Sequence, residues 1–157
     1  MSLSTMNPDF LQDYLYAHIP ISQAMGVKVH ALTDNSVSLW APLAPNINHR
    51  GTAFGGSIST LATLSAWSLL RVGVHDISPL PTLVVRRNSV EYLKPIEGEF
   101  IATATRPDAE SWQIFLDTLH ARGRARLSLE ALVHYADQEA ASFSGVFVAL
   151  GVASTPT

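Results

Sequence analysis

Apolar residues recur at helical spacing near the start of the chain, and two more such stretches follow, with alternating segments between them. Asn7-Pro8-Asp9 offers an N-cap, a proline for the first helical position and an acid beside the positive end of a helix dipole. Phe10, Leu11, Tyr14, Leu15 and Ile19 then repeat every three or four residues, which predicts an amphipathic helix over residues 8–19 that Pro20 stops. After Gly26 the pattern becomes alternating and rich in branched residues, through VKVHAL and SVSLWAPL. The turn formers Thr33-Asp34-Asn35 separate the two runs, so a β-hairpin is expected, ended by Pro42 and Pro45. From Gly55 to about Val72, Ile58, Leu61, Ala62, Ala66, Leu69 and Leu70 form one broad stripe among hydroxyls and small residues, which predicts a long buried helix. Strand-like runs follow at TLVVRRNSVEYL, GEFIATATR, RARLSLEALVHY and SFSGVFVAL. Pro95-Ile96-Glu97-Gly98 reads as a tight turn between the first two, and Asp137-Gln138-Glu139 as the join of the last two. Between these pairs, Pro107-Asp108 caps a further helix carrying Trp112, Phe115, Leu116 and Leu119.

This order implies an α+β fold in which a curved antiparallel sheet of five to six strands is wrapped around a long central helix, because an uncharged helix needs cover on nearly every side. With 157 residues, 47% of them apolar and 15% charged, the chain is long enough for one sizeable core. One domain is expected over residues 1–151, with a frayed tail at 152–157. No charge occurs from Gly51 to Leu70, but the glycines, serines and threonines within that stretch make it too polar for a membrane span. The N-terminal MSLSTMNPDF has neither a basic region nor an apolar run, so a cytoplasmic location is expected. A net charge of −3 argues against nucleic acid as the main ligand. The absence of cysteine excludes thiolate nucleophiles and disulfides, and no metal-ligand spacing is present among the histidines.

Candidate chemistry concentrates in NINHRGTAFGGS, residues 46–57. Gly55 and Gly56 sit where a loop becomes a helix, and the first amides of a helix have no internal partner. They can serve as N–H donors to an oxygen that gains negative charge, or simply make a tight turn for close packing. Asn48 and Asn46 each offer a neutral amide for a substrate, or an Asx turn that shapes the loop. Arg122, Arg124 and Arg126 alternate along one predicted strand face, and Arg86 and Arg87 lie in another strand. They form either a solvated face that discourages edge pairing or a cradle for phosphate and acidic surface.

Asn48, Gly51-Thr52 and Phe54-Gly55-Gly56 ahead of the long helix resemble the hotdog-fold thioesterase superfamily. Phe54 stands where a His is common in that group. The sequence is most similar to the thioesterase branch found alone or behind an acetyltransferase domain in proteobacteria. The features shared with that branch are residues 14–27, the Asn48-to-Ser57 loop, Thr60 to Leu64, Glu91 to Ile96 and Ala121 to Arg124. The resemblance implies that Asn48 touches substrate, with Asn46 as the fallback; Asn46, Thr52 and Phe54 are further candidates for lining the site, as is His49, a loop residue to which the resemblance assigns no role. It also implies a homodimer or dimer of dimers whose sheets join and whose sites are lined by both chains. No cofactor is implied, since the acyl thioester substrate carries its own phosphopantetheine or coenzyme A.

Hotdog hydrolases commonly activate water with an Asp or Glu on the second turn of the central helix. That position here is Thr63, and no carboxylate lies between Gly51 and Leu70. The expected reaction therefore shifts to decarboxylation of malonyl-acyl-carrier protein or malonyl-CoA. In that reaction the glycine amides hold an enolate oxygen, Asn48 orients the substrate and Thr63 assists. The same branch is associated with this activity, which feeds fatty acid synthesis. Acyl-thioester hydrolysis and a non-catalytic acyl-carrier-binding module are the alternatives.

Overall fold

A computed structural model describes residues 6–153. The first five residues of the expected domain and residues 154–157 of the expected tail lie outside the described residues. The Asn7 side chain accepts from the Phe10 amide at 2.8 Å and starts helix α1, Pro8–His18, which buries Leu11 and Leu15. Pro20 does not simply end this run. It occupies the first turn of a second, short helix, α2, Pro20–Ala24, where its missing N–H costs nothing.

Strands β1, Lys28–Leu32, and β2, Ser36–Ala41, form the expected hairpin, whose turn is fixed by the Thr33 hydroxyl accepting from the amides of Asn35 and Ser36. The long helix α3 spans Gly55–Gly73, and all six residues of its predicted stripe are buried. Strands β3, Thr82–Tyr92, β4, Phe100–Thr105, β5, Arg124–Tyr135, and β6, Gln138–Leu150, complete one antiparallel sheet in the order β1-β2-β4-β5-β6-β3. Helix α4, Ala109–Arg122, leads into β5. Its N-cap Asp108 accepts from the Ser111 amide at 2.9 Å, and that hydrogen bond holds the carboxyl below its usual range.

Three expectations change. β3 is an edge strand and β4 lies in the middle of the sheet, so residues 93–99 are a crossover and not a hairpin turn. The β5–β6 turn is Ala136-Asp137, both at positive φ, the geometry that matches the twist of a two-residue hairpin; Gln138 and Glu139 already belong to β6. Arg122 is the last residue of α4 and not part of a strand. Gly123, at φ 70°, takes the left-handed conformation that ends the helix.

Helix α3 lies across one face of the sheet and touches β2, β3, β4, β5 and β6. Inward residues Leu127, Leu129, Ala131 and Val133 of β5 alternate with outward, exposed or half-buried Arg126, Ser128, Glu130, Leu132 and His134. The first charge on α3 is Arg71, in its last turn and buried, with its guanidinium 4.9 Å from the centre of the Tyr14 ring. The ring face and the negative end of the helix dipole both favour that charge. Where α3 ends, Gly73 is in contact with α4: a Cβ there would lie 2.4 Å from the Trp112 ring. Gly73→Ala is therefore expected to cost about 1–2 kcal/mol through overpacking despite alanine's better helix propensity, as urea denaturation would show.

Candidate active site

The candidate site centres on the start of α3. Phe54 is its N-cap in extended conformation, and among the described residues no side chain caps the helix. The amides of Ser57 and Ile58 both reach the Phe54 carbonyl, at 2.9 and 3.1 Å. The Phe54 amide donates to the Asn46 carbonyl at 2.7 Å, and the Ala53 amide to the Ile96 carbonyl at 2.8 Å. Among the described residues this leaves the N–H groups of Gly55 and Gly56 without a partner, side by side at the positive end of a 19-residue helix. A Cβ at Gly56 would sit 2.4 Å from the Phe54 ring, so only glycine lets that half-exposed ring lie against the helix start.

The two asparagines do different things. Asn46 is buried, and its Nδ2 donates to the carbonyls of Met25 at 2.9 Å and Pro42 at 2.7 Å, tying the site loop to the end of α2. Asn48 is half-buried and builds its own loop. Its Oδ1 accepts from the amides of Arg50 and Thr52, and its Nδ2 donates to the Thr52 hydroxyl at 2.8 Å. The backbone closes the same turn, with the Asn48 amide donating to the Thr52 carbonyl and Gly51 at φ 80°. Asn48 therefore makes the Asx-type turn weighed from sequence, whereas Asn46 does not, since its Oδ1 accepts from no amide among the described residues. His49 is exposed at the loop tip.

Thr63 stands about 10 Å beyond Gly56 along the helix, two turns away. Ser59 and Thr60 are nearer, one turn from Gly56, and with Thr63 and Trp67 they continue a half-buried stripe. Every hydroxyl of Ser59, Thr60 and Thr63 donates to a helix carbonyl, at 3.0, 2.7 and 2.7 Å. The stripe therefore presents methyls and oxygens without free protons.

Sequence reasoning gave no role to Tyr92 and Lys94, although the Glu91-to-Ile96 motif contained them. Tyr92 Oη donates to the Gly55 carbonyl at 3.1 Å, which pins the helix start to the end of β3. A cleft of about 290 Å³ opens there between Gly55, Ile58, Tyr92, Lys94, Pro95 and Ile96; its other lining residues are Ala53 and Leu93. None of these carries a carboxylate or an imidazole. A larger hollow of about 810 Å³ lies on the outer face over β4, β5 and β6, lined by Thr103, Thr105, Ser128, Glu130 and Ser142, away from the free amides.

The arginines do not form one row. Arg124 and Arg126 share the outer face of β5, and Arg87 joins them across β6, where it pairs with Val146. Arg86 is the extra residue of a bulge between Val85 and Arg87, and Arg122 belongs to α4. All five except Arg122 lie on strands, and all five are exposed. Among the described residues no cluster of His, Asp or Glu could hold a metal ion, and no helix is long and apolar enough to cross a membrane.

The model of the family described as "Putative thioesterase (yiiD_Cterm)" matches residues 9–151. A protein of unknown function from Chlorobaculum tepidum TLS is 29% identical with a TM-score of 0.87, over 95% of this chain and 99% of that one. A "putative thioesterase" from Shewanella oneidensis is 28% identical with a TM-score of 0.78, over 91% of this chain and 96% of that one. A thioesterase from Haemophilus influenzae, 12% identical with a TM-score of 0.72 over 96% and 95%, shares the fold. A six-stranded sheet around an uncapped central helix, and a family match over nearly its whole length, make this chain a hotdog-fold member of the putative thioesterase (yiiD_Cterm) family.

Proposed function

We propose that this site acts on short acyl thioesters and that its principal reaction is decarboxylation of a malonyl thioester carried by acyl-carrier protein or coenzyme A. The observation that carries the reading is the pair of unpartnered amides at Gly55 and Gly56 beside a cleft lined by no carboxylate or imidazole. The thioester oxygen accepts from both N–H groups. When the bond to the free carboxylate breaks, its electron pair moves into an enolate whose oxygen those amides stabilise. The carboxylate is poorly solvated along α3, because Ser59, Thr60 and Thr63 direct their protons to helix carbonyls and have none to offer it. Weak solvation of the charged reactant favours its loss as carbon dioxide.

Asn48 acts in this reading by fixing the turn that leads into Phe54, with Thr52 as its partner, and Phe54 and His49 flank the entry. Asn48→Ala is expected to lower kcat about tenfold while costing about 1 kcal/mol in stability, measured by steady-state kinetics and urea denaturation on the same preparation. A wild-type decarboxylation rate in this variant would remove Asn48 from the mechanism.

Arg86 and Arg87 lie five or six residues from Tyr92 along β3, roughly 17–20 Å, which is within reach of an extended phosphopantetheine arm. With Arg124 and Arg126 they offer a basic surface to the phosphate or to an acidic carrier protein. A homodimer joined at the β3 edge accounts for two exposed features of the single chain. The whole outer edge of β3 is bare on both faces from Val84 to Ser89, and the polar stripe of α3 is only half covered.

Hydrolysis of an acyl thioester is the second reading, favoured by the family's thioesterase description. Intact-mass analysis of carrier protein after incubation with the chain separates the alternatives. Acetyl-carrier protein supports decarboxylation, free carrier thiol with malonate supports hydrolysis, and unchanged but bound substrate supports a binding module.

A further inference from the structure

Decarboxylation leaves an enolate that needs one proton at carbon, and the two glycine amides cannot supply it. Among the described residues, only two side chains lining the cleft beside Gly55 carry an ionisable proton, Tyr92 and Lys94. The Lys94 ammonium is directed away, donating to Gln138 Oε1 at 2.7 Å. The Tyr92 hydroxyl is held over Gly55 itself: Oη lies 3.1 Å from the Gly55 carbonyl and 3.6 Å from where a Cβ on that residue would be. It thus sits on the residue whose free N–H is the proposed donor to the thioester oxygen, and the reacting carbon is one bond from the thioester carbonyl.

We propose that Tyr92 is a catalytic residue, the proton donor to the enolate carbon; this rests on the decarboxylation reading above. The balance is simple. The carboxylate carbon leaves as carbon dioxide, and its bonding pair forms the enolate. The enolate carbon then forms a C–H bond as the Tyr92 O–H bond breaks. The phenolate takes a proton from water and the cycle closes. A phenol is a far stronger acid than the α-carbon of a thioester, so the transfer runs downhill. Rotation about the Cζ–Oη bond is enough to turn the proton from the Gly55 carbonyl to the substrate. That turn gives up the hydrogen bond to the carbonyl, and the packing of the ring against Gly55 keeps the oxygen on one face of the enolate.

A clamp on the helix start would need the same hydrogen bond, so the test must read the direction of protonation. The wild-type chain and Tyr92→Phe are each given methylmalonyl-carrier protein in deuterium oxide, and the configuration of the deuterated propionyl product is determined. Malonyl-carrier protein gives kcat and KM in parallel, and thermal melting reports on folding, which the half-exposed ring of Tyr92 makes tolerant of the change. Wild type is expected to give one configuration. Tyr92→Phe is expected to give both, with kcat lowered by about 10²-fold and KM unchanged. A single configuration retained in the variant, at whatever rate, overturns the proposal, and so does a wild-type product of mixed configuration. If the wild-type chain releases no carbon dioxide from either substrate, the decarboxylation reading itself fails, and that control is read before any variant is compared.

Discussion

Gly55→Pro is expected to lower kcat on the acyl thioester by about 10²–10³-fold while leaving the melting temperature at or above that of the parent chain. The substitution removes one of the two free N–H groups and little else. Gly55 is the first helical residue, where proline is favoured because that amide has no helical partner. The residue before it, Phe54, already has φ −64° and ψ 134°, the extended conformation that proline demands of its predecessor. A side chain at Gly55 would meet the Tyr92 ring at 3.5 Å, an ordinary contact. A stable variant with parental kcat would show that the amide is not an oxyanion donor. A loss of activity together with unfolding is not expected from this geometry, and circular dichroism would reveal it.

The second large effect falls on stability. Asn46→Ala is expected to cost about 2–4 kcal/mol, because it leaves the buried Met25 carbonyl and the part-buried Pro42 carbonyl without their shared donor. The orphaned Oδ1 of Asn46, buried without a partner, disappears in the same variant and offsets a part of that cost. Urea denaturation at constant m-value is the measurement. The Asn46 carbonyl also receives the Phe54 amide, so the entrance to α3 should loosen and kcat should fall with stability. Both variants lose stability and rate, but Asn46→Ala loses more stability than Asn48→Ala.

The contrast between these residues shows what the sequence could reveal. Local features were legible. The α3 start follows from Gly55-Gly56 ahead of an uncharged stripe, and β5 was read to its last residue because RARLSLEALVHY alternates so strictly. Arg122 was assigned to the wrong element although Gly123 carried the signal, since a glycine after a helical stripe is the usual helix end. Strand order was not legible. Whether β3 pairs with β4 or with β6 depends on contacts between distant segments, and a Pro-Gly turn after β3 looks the same in a hairpin and a crossover.

The site shows the same division. Free amides can be inferred from a loop-to-helix junction, but the role of Asn46 depends on Met25 and Pro42, and that of Tyr92 on Gly55, 37 residues earlier. The motif from Glu91 to Ile96 held three parts of the site's frame: Tyr92 on the Gly55 carbonyl, the Ile96 carbonyl on the Ala53 amide and Lys94 at the cleft. Nothing in its composition announces that, because each part acts through a partner far away in the chain.

Two free amides without a neighbouring carboxylate are expected to direct a malonyl thioester to lose carbon dioxide. The most direct measurement supplies malonyl-carrier protein isotopically labelled in its free carboxylate and follows the label in single turnover with excess protein. Label released as carbon dioxide, with acetyl-carrier protein left behind, is the predicted result. Label recovered in free malonate, with the carrier thiol exposed, would contradict it.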